Sequence, residues 1–376
     1  GHSAEATIEQ IDNDIRTYRE ILRRLDYSMD RDGFMACVGL NSSSNTSVPP
    51  ILAASYNALS VGLTSGGHSR GGTISAIGKG SGAVEYDGVG RTKPEIVAND
   101  SATSYSTAQV SSAATLLLGV ANSRGMGNAF RPEVMKAILM AGATKQEFPG
   151  WKRTTTQPID TIYGAGEMNV RNSYHILVGG EVPPAGNGGH HGWDRGTLPS
   201  GGNAVYSLKL GRDAGEVSVM LNWNRKIIAA PWLNGGAYNQ SVADMSLTLH
   251  RINNGVPVFI DSSNSGTDNL EHLYLRGLAA GSYTLTVATD IAGDYALAWR
   301  AEPGRLPGIT LGPGGTQFSF HDVIAGKEFT LEKSSDLINW ETYHTFTPST
   351  ASENFTDAAG PAGKRVFFRL AWDPVN

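Results

Sequence analysis

An α/β domain followed by all-β sandwich domains is the architecture this sequence predicts, on three observations. Near the start, Ile8, Ile11, Ile15, Tyr18, Leu22 and Leu25 recur at three- and four-residue steps, the spacing of a helix with one apolar face. From residue 205 onward the apolar period becomes two, with turn residues between the runs, which is the pattern of half-buried strands. Between these regimes lies a stretch rich in Gly179, Gly180, Pro183, Pro184, Gly186, Gly188 and Gly189, the composition of a flexible tether. The expected boundaries are 1–178 for the α/β domain, 179–192 for the linker, 193–303 for a β-sandwich and 304–376 for a small β module.

The elements follow in order. After the first helix, Gly33 breaks the pattern and Phe34–Leu40 reads as a buried strand, ended by the polar loop Asn41–Ser47. Ile51–Leu63 reads as a strand pair or a bent strand, and the glycine-rich Gly66–Gly82 as loop or hairpin. A helix is expected over about Ser104–Val120, where small residues give way to Leu116–Leu118. Another starts at Pro132, a favoured first helical position, and a short one follows Asn169. Alternating strands and helices indicate a mainly parallel sheet. Beyond the linker, strands are expected at Val205–Leu210, Val217–Trp223, Met245–Arg251, His272–Leu275, Ser282–Ala288 and Tyr295–Arg300. The last module contributes Phe318–Phe320, Glu328–Lys333, Trp340–Phe346 and Arg365–Trp372, with Trp340 expected in its core.

Composition narrows the function classes. The 376 residues are 17% charged, below the ~25% usual in soluble proteins. A net charge of −5 supplies no basic field for nucleic acid or an anionic membrane surface. The longest largely apolar run, Ala113–Ala121, is far short of the ~20 residues of a membrane span. The one cysteine, Cys37, permits neither an internal disulfide nor a cysteine-based zinc cluster.

The chemically informative stretch is Gly90-Arg91-Thr92-Lys93-Pro94-Glu95-Ile96-Val97-Ala98, followed by Ala102-Thr103-Ser104-Tyr105-Ser106-Thr107-Ala108-Gln109-Val110-Ser111. A serine where a loop enters a helix exposes its hydroxyl beside free amides and a positive dipole, which favour a developing oxyanion. The alternative on physics alone is that Thr103 or Ser104 is an ordinary helix cap. These two segments resemble the nucleophile region of the subtilisin-like serine peptidases, and in that register Ser104 is the nucleophile. Phe34–Asn41 resembles the family's strand ending in Gly-Asn, which makes the Asn41 side chain an oxyanion-hole donor. Ile51–Val61 with Gly67-His68-Ser69-Arg70-Gly71 resembles the next strand and its loop, and Tyr163–Val170 resembles the Gly-x-Gly-x-x-Asn segment near that domain's end. The chain departs from the family at Ala102, at Ala108-Gln109 where Pro-His is usual, and at Asn99-Asp100 in place of Pro-Gly.

The resemblance implies a peptidase acting on peptide or protein substrates through an acyl-enzyme on Ser104. It also implies that the Asp and His of the triad precede Asn41, and neither family motif occurs in the first 40 residues. The expectation is therefore an N-terminal segment or second polypeptide that supplies both and completes the parallel sheet. His2 and His68 are the other conceivable bases, and His190-His191 a conceivable metal pair or simply solvated linker. No cofactor is required for this chemistry.

Ala243–Leu249, Asp268–Leu275 and Leu278–Val287 resemble the pre-peptidase C-terminal β-sandwich appended to exported bacterial peptidases, which implies a secreted or cell-surface location. Its carboxylates Asp244, Asp261, Asp268 and Glu271 either hold a structural calcium ion or are ordinary turn carboxylates. The competing functional expectation is a catalytically inactive relative serving as a secreted binding or adhesion module.

Overall fold

The computed structural model of the chain describes residues 8–42, 52–69, 91–145, 147–211, 214–229, 238–302, 308–312, 315–321, 323, 326, 328–350, 352–358 and 366–371. Of the described residues, 43% are in strands and 22% in helices, so β-sheet dominates, in several separate sheets. The chain divides into two units, one of Gly1–Leu208, Ser218–Leu273 and Tyr283–Arg300, the other of Lys209–Val217, Tyr274–Ser282 and Ala301–Asn376.

The first unit opens with α1 (Ile8–Asp32), which Gly33 ends in a left-handed conformation, its amide bonding back to the Met29 carbonyl. Next come β1 (Cys37–Gly39), β2 (Leu59–Leu63), β3 (Ile96–Ala98), α2 (Thr103–Ser123), α3 (Pro132–Gly142) and α4 (Val170–Gly179). The strands form a parallel sheet in the order β1-β2-β3, with Cys37 opposite Leu59 and Val61 opposite Ile96. β2 and β3 are buried throughout. The buried face of α2, made by Val110, Ala113, Ala114, Leu117 and Ala121, joins their core.

Residues 52–63 do not form two strands. A short 3₁₀ turn at Leu52–Ala54 precedes β2, and Asp26 on α1 holds the segment between them. That buried carboxylate accepts from the Ser55 hydroxyl and from the amides of Tyr56 (3.3 Å) and Asn57 (3.0 Å), and is paired with Arg225. The far side of β3 is closed by the chain itself. The Met168 amide donates to Val97 O (2.8 Å) and the Ala165 amide to Glu95 O (2.8 Å). Gly164 (φ 57°) and Gly166 (φ 117°) allow this approach, since a Cβ at either would strike the backbone of Glu95 or Thr144. Among the described residues no strand pairs with the outer side of β1. Of the glycine-rich 66–82 stretch, residues beyond 69 lie outside the described residues.

The β region contains β4 (Asn187–Gly188), β5 (His191–Leu198), β6 (Asn203–Leu210), β7 (Ala214–Asn222), β8 (Lys226–Ala229), β9 (Tyr238–Ser241), β10 (Met245–Asn253), β11 (Val256–Ser263), β12 (Leu270–Leu278), β13 (Gly281–Thr289) and β14 (Gly293–Glu302). They form sheets ordered β11-β10-β13-β6-β4 and β12-β7-β14-β5, plus the ribbon β8-β9. β6, β10 and β13 alternate buried and more exposed residues, as period-two strands should. β14 does not; nearly all of its residues are buried. One hydrophobic core unites Ile138, Leu139, Ile176 and Leu177 of α3 and α4 with Trp193, Met220, Leu270, Ala296 and Ala298 of the β12-β7-β14-β5 sheet.

Residues 179–192, expected as a tether, are mostly exposed or half-buried, but the segment is hydrogen-bonded to its flanking elements. The Val182 amide donates to Trp193 O (2.8 Å), the Trp193 amide to Gly180 O (3.1 Å) and the Trp193 indole to Leu177 O (3.0 Å). The glycines that read as linker continue into β5 for a packing reason. Gly192 lies against the Trp299 indole and Gly196 against the Tyr295 ring, where any Cβ would clash.

The second unit includes β15 (Gly308–Gly312), β16 (Gly315–His321), β17 (Phe329–Ser334), β18 (Glu341–Phe346), β19 (Ser352–Asp357) and β20 (Phe367–Ala371), in two three-stranded sheets ordered β15-β16-β19 and β18-β17-β20. Phe318, Phe320, Val323, Phe329 and Leu331 form its core. Trp340 lies outside that core, contrary to expectation. It is half-buried, with the Arg369 guanidinium 4.3 Å from its ring centre and its indole donating to Leu337 O (3.3 Å).

Candidate active site

The start of α2 and the end of β1 meet at Thr103. The residue preceding the helix is Ala102, in extended conformation (φ −144°, ψ 148°), and it offers no side-chain cap. Ser104 is thus the second helical residue rather than the cap. The amides of Tyr105 and Ser106 both bond to Ala102 O (3.1 and 3.2 Å), and that of Thr103 donates to the Ser42 hydroxyl (3.0 Å). Among the described residues nothing accepts from the Ser104 amide, and its side chain is exposed. The free amide therefore belongs to the residue carrying the candidate nucleophile, at the positive end of a 21-residue helix.

Asn41 lies at the mouth of β1. The Leu40 amide bonds to Val61 O (3.0 Å), keeping the strand in register up to that point. Buried Ser69 then grips Asn41 on both sides, accepting from its amide (3.2 Å) and donating its own amide to Asn41 O (2.8 Å). The Thr103 hydroxyl donates to Leu40 O, and Gly39 lets α2 come close, since a Cβ there would sit 2.8 Å from the Thr107 hydroxyl. The two residues assigned from the family resemblance thus stand on segments stitched to one another.

The departures from the family pattern pair with each other. The Gln109 side-chain amide donates to the Asp100 carboxylate (2.8 Å) and to Asn99 O (3.1 Å), and Ser101 donates its amide to the same carboxylate (2.6 Å). A change at the helix's second turn and a change in the entering loop are therefore one coupled feature.

The motif around Lys93 is scaffold. One Glu95 oxygen lies 2.7 Å from both the Lys93 and Lys136 ammonium groups, while the other accepts from the Ser60 amide (2.9 Å). Burial pushes Lys93 down, with Glu95 opposing only in part, to about 7. Burial acts to raise Glu95, yet the two ammonium groups hold it below the usual carboxylate range. Arg91 stacks on the Tyr56 ring at 3.6 Å and donates to Ser55 O (2.7 Å).

His68 is also structural. Its Nδ1 accepts from the Leu63 amide (2.9 Å), so Nε2 carries the proton and donates to Ile162 O (2.9 Å). His2 lies outside the described residues, and among those described no histidine hydrogen-bonds to Ser104. His191 faces His175 at 5.8 Å between ring centres. Of the four carboxylates considered for calcium, Asp261 pairs with Arg153, while Asp268 and Glu271 both accept from Ser265, the first from its hydroxyl (2.8 Å) and the second from its amide (2.7 Å). Among the described residues no three His, Cys, Asp or Glu side chains gather as a metal site.

Ser42 and Ser69 were not legible as site residues from sequence. The usable signal is the pairing of Ala102, which cannot cap a helix, with hydroxyls beside the strand-end asparagine.

No family model matches the chain, and no curated protein matches it. Among solved structures, slight overlaps exist with a Yersinia pseudotuberculosis-derived mitogen (15% identity, 30% of this chain and 86% of that one, TM-score 0.20). Others are a tandem CBM22 domain of Paenibacillus barcinonensis Xyn10C (12%, 47% and 71%, TM-score 0.18) and tripeptidyl peptidase 2 (10%, 93% and 44%, TM-score 0.26). These overlaps are too slight to assign a fold. No helix among the described residues is long and apolar enough to cross a membrane.

Proposed function

We propose that this chain is the nucleophile-bearing part of a secreted or cell-surface, subtilisin-like serine endopeptidase. The observation that carries the reading is the junction at Thr103: it is bonded to Leu40 and Ser42, which flank Asn41, and among the described residues nothing accepts from the amide of exposed Ser104. In the proposed mechanism the Ser104 hydroxyl attacks the scissile carbonyl. Its proton passes to a histidine supplied by an N-terminal segment or chain outside this sequence, oriented by an aspartate from the same source. The Ser104 amide and the Asn41 side chain hold the tetrahedral oxyanion, the histidine returns the proton to the leaving amine, and water hydrolyses the acyl-enzyme. Among the described residues no strand pairs with the outer side of β1, which supports a completing polypeptide, as does the largely apolar cavity of ≈ 350 Å³ lined in part by Phe34, Met35, Cys37, Leu118 and Met135.

One observation favours a second reading, a catalytically inactive binding module: among the described residues no general base bonds to Ser104. Incubating the protein, with any polypeptide that accompanies it, with an unfolded protein substrate separates the two. The peptidase reading expects cleavage that Ser104→Ala abolishes; cleavage that persists in that variant, or none at all, refutes it.

A further inference from the structure

We infer that Ser42 is a positioning residue that holds both oxyanion donors in place; this rests on the peptidase reading above. The protons at the junction can be assigned by elimination. The Leu40 carbonyl only accepts, so the single hydroxyl proton of Thr103 is committed to it. The Ser42 and Thr103 hydroxyl oxygens lie 2.9 Å apart, so Ser42 is the donor between them. The Ser42 oxygen in turn accepts from the Thr103 amide at 3.0 Å. Ser42 therefore both donates to Thr103 and accepts from it, and Thr103 returns to Leu40, closing a ring around Asn41.

This arrangement explains Ala102. An ordinary capping side chain at that position accepts from the amide of the second or third helical residue. The second is Ser104, so a Ser, Thr or Asp at 102 would compete for the amide that the mechanism needs free. With Ala102 the cap comes instead from Ser42, in another segment, and satisfies only the first amide, that of Thr103. The helix end is stabilised while the Ser104 amide stays open. Because Leu40 and Ser42 both bond to Thr103, Asn41 between them is fixed relative to Ser104.

The test uses the full chain, with any polypeptide that co-purifies, and a fluorophosphonate ester as probe. The second-order rate of Ser104 labelling is measured in wild type, Ser42→Ala, Ser42→Thr, Asn41→Ala and the Asn41→Ala/Ser42→Ala double variant, with melting temperatures alongside. Ser42→Ala is expected to slow labelling about ten- to a hundredfold, the scale of a displaced catalytic group. Ser42→Thr, whose hydroxyl is retained and whose methyl has room at this exposed position, should restore most of the rate. Ser42→Ala should cost less in the Asn41→Ala background than alone, because one of its two effects is already gone. A purely structural Ser42 would change melting temperature without this non-additivity. Labelling of Ser42→Ala at the wild-type rate, or no rescue by Ser42→Thr, overturns the inference while leaving the peptidase reading intact. A wild-type protein that does not label at all overturns both.

Discussion

Glu95→Gln is the substitution whose cost follows most directly from the described geometry. It leaves two ammonium groups, Lys93 and Lys136, each 1% exposed and each 2.7 Å from the lost carboxylate oxygen, facing a neutral amide. Removing one partner from a buried ion pair costs about 3–5 kcal/mol, because the remaining charge stays desolvated. The loss should depend on pH in a definite direction. Burial brings Lys93 from 10.5 down to about 7 even with Glu95 present, so between those values the unfolded chain binds a proton that the folded chain has released. Stability therefore rises with pH across that window, by at most about 1.4 kcal/mol per pH unit. Without Glu95, burial acts on Lys93 unopposed and the window extends below 7. The variant then regains stability relative to wild type as pH rises toward 7, and its deficit should be smaller at pH 9 than at pH 6. Urea unfolding followed by circular dichroism at both pH values measures this. A deficit below about 1 kcal/mol at pH 6 with an unchanged m value would refute the buried-pair reasoning, as would a deficit that grows with pH.

Other substitutions probe separate links. Gly196→Ala places a methyl group against the Tyr295 ring, whose hydroxyl is fixed at 2.6 Å to that of Tyr206. It should destabilise by about 1–3 kcal/mol, read from the urea midpoint, and an unchanged midpoint would show that β5 does not need glycine there. On the proposed peptidase reading, Asn41→Ala should lower turnover of a peptide substrate about 10²–10³-fold with little change in KM, since the lost donor would serve the transition state. A wild-type turnover number in that variant would remove Asn41 from the proposed oxyanion hole.

Legibility in the sequence followed how local the cause was. The first helix, the helix at Pro132 and the alternating strands β6, β10 and β13 rest on periodicity and caps within a few residues, and each formed where expected. The failures had distant causes. Within 51–63, residues 55–57 are bonded to Asp26 on the distant first helix rather than to a strand. β5 was hidden because Gly192 and Gly196 answer to aromatic rings about a hundred residues away. The linker reading failed to anticipate a core shared between α3, α4 and the second sheet, which local composition does not encode. At the candidate site, residues drawn from the motif, Ser104 and Asn41, were brought to one junction through Thr103. The hydroxyl that joins their segments, Ser42, carries no motif of its own and became visible only through its hydrogen bonds.

Mapping a covalent adduct tests whether Ser104 is the activated nucleophile proposed above. The protein, with any polypeptide that accompanies it, is treated with a fluorophosphonate probe, digested, and analysed by mass spectrometry. One stoichiometric adduct is expected on the peptide containing Ser104, absent after prior denaturation and absent in Ser104→Ala. An adduct on another serine, or no adduct on the folded protein, would contradict the proposal.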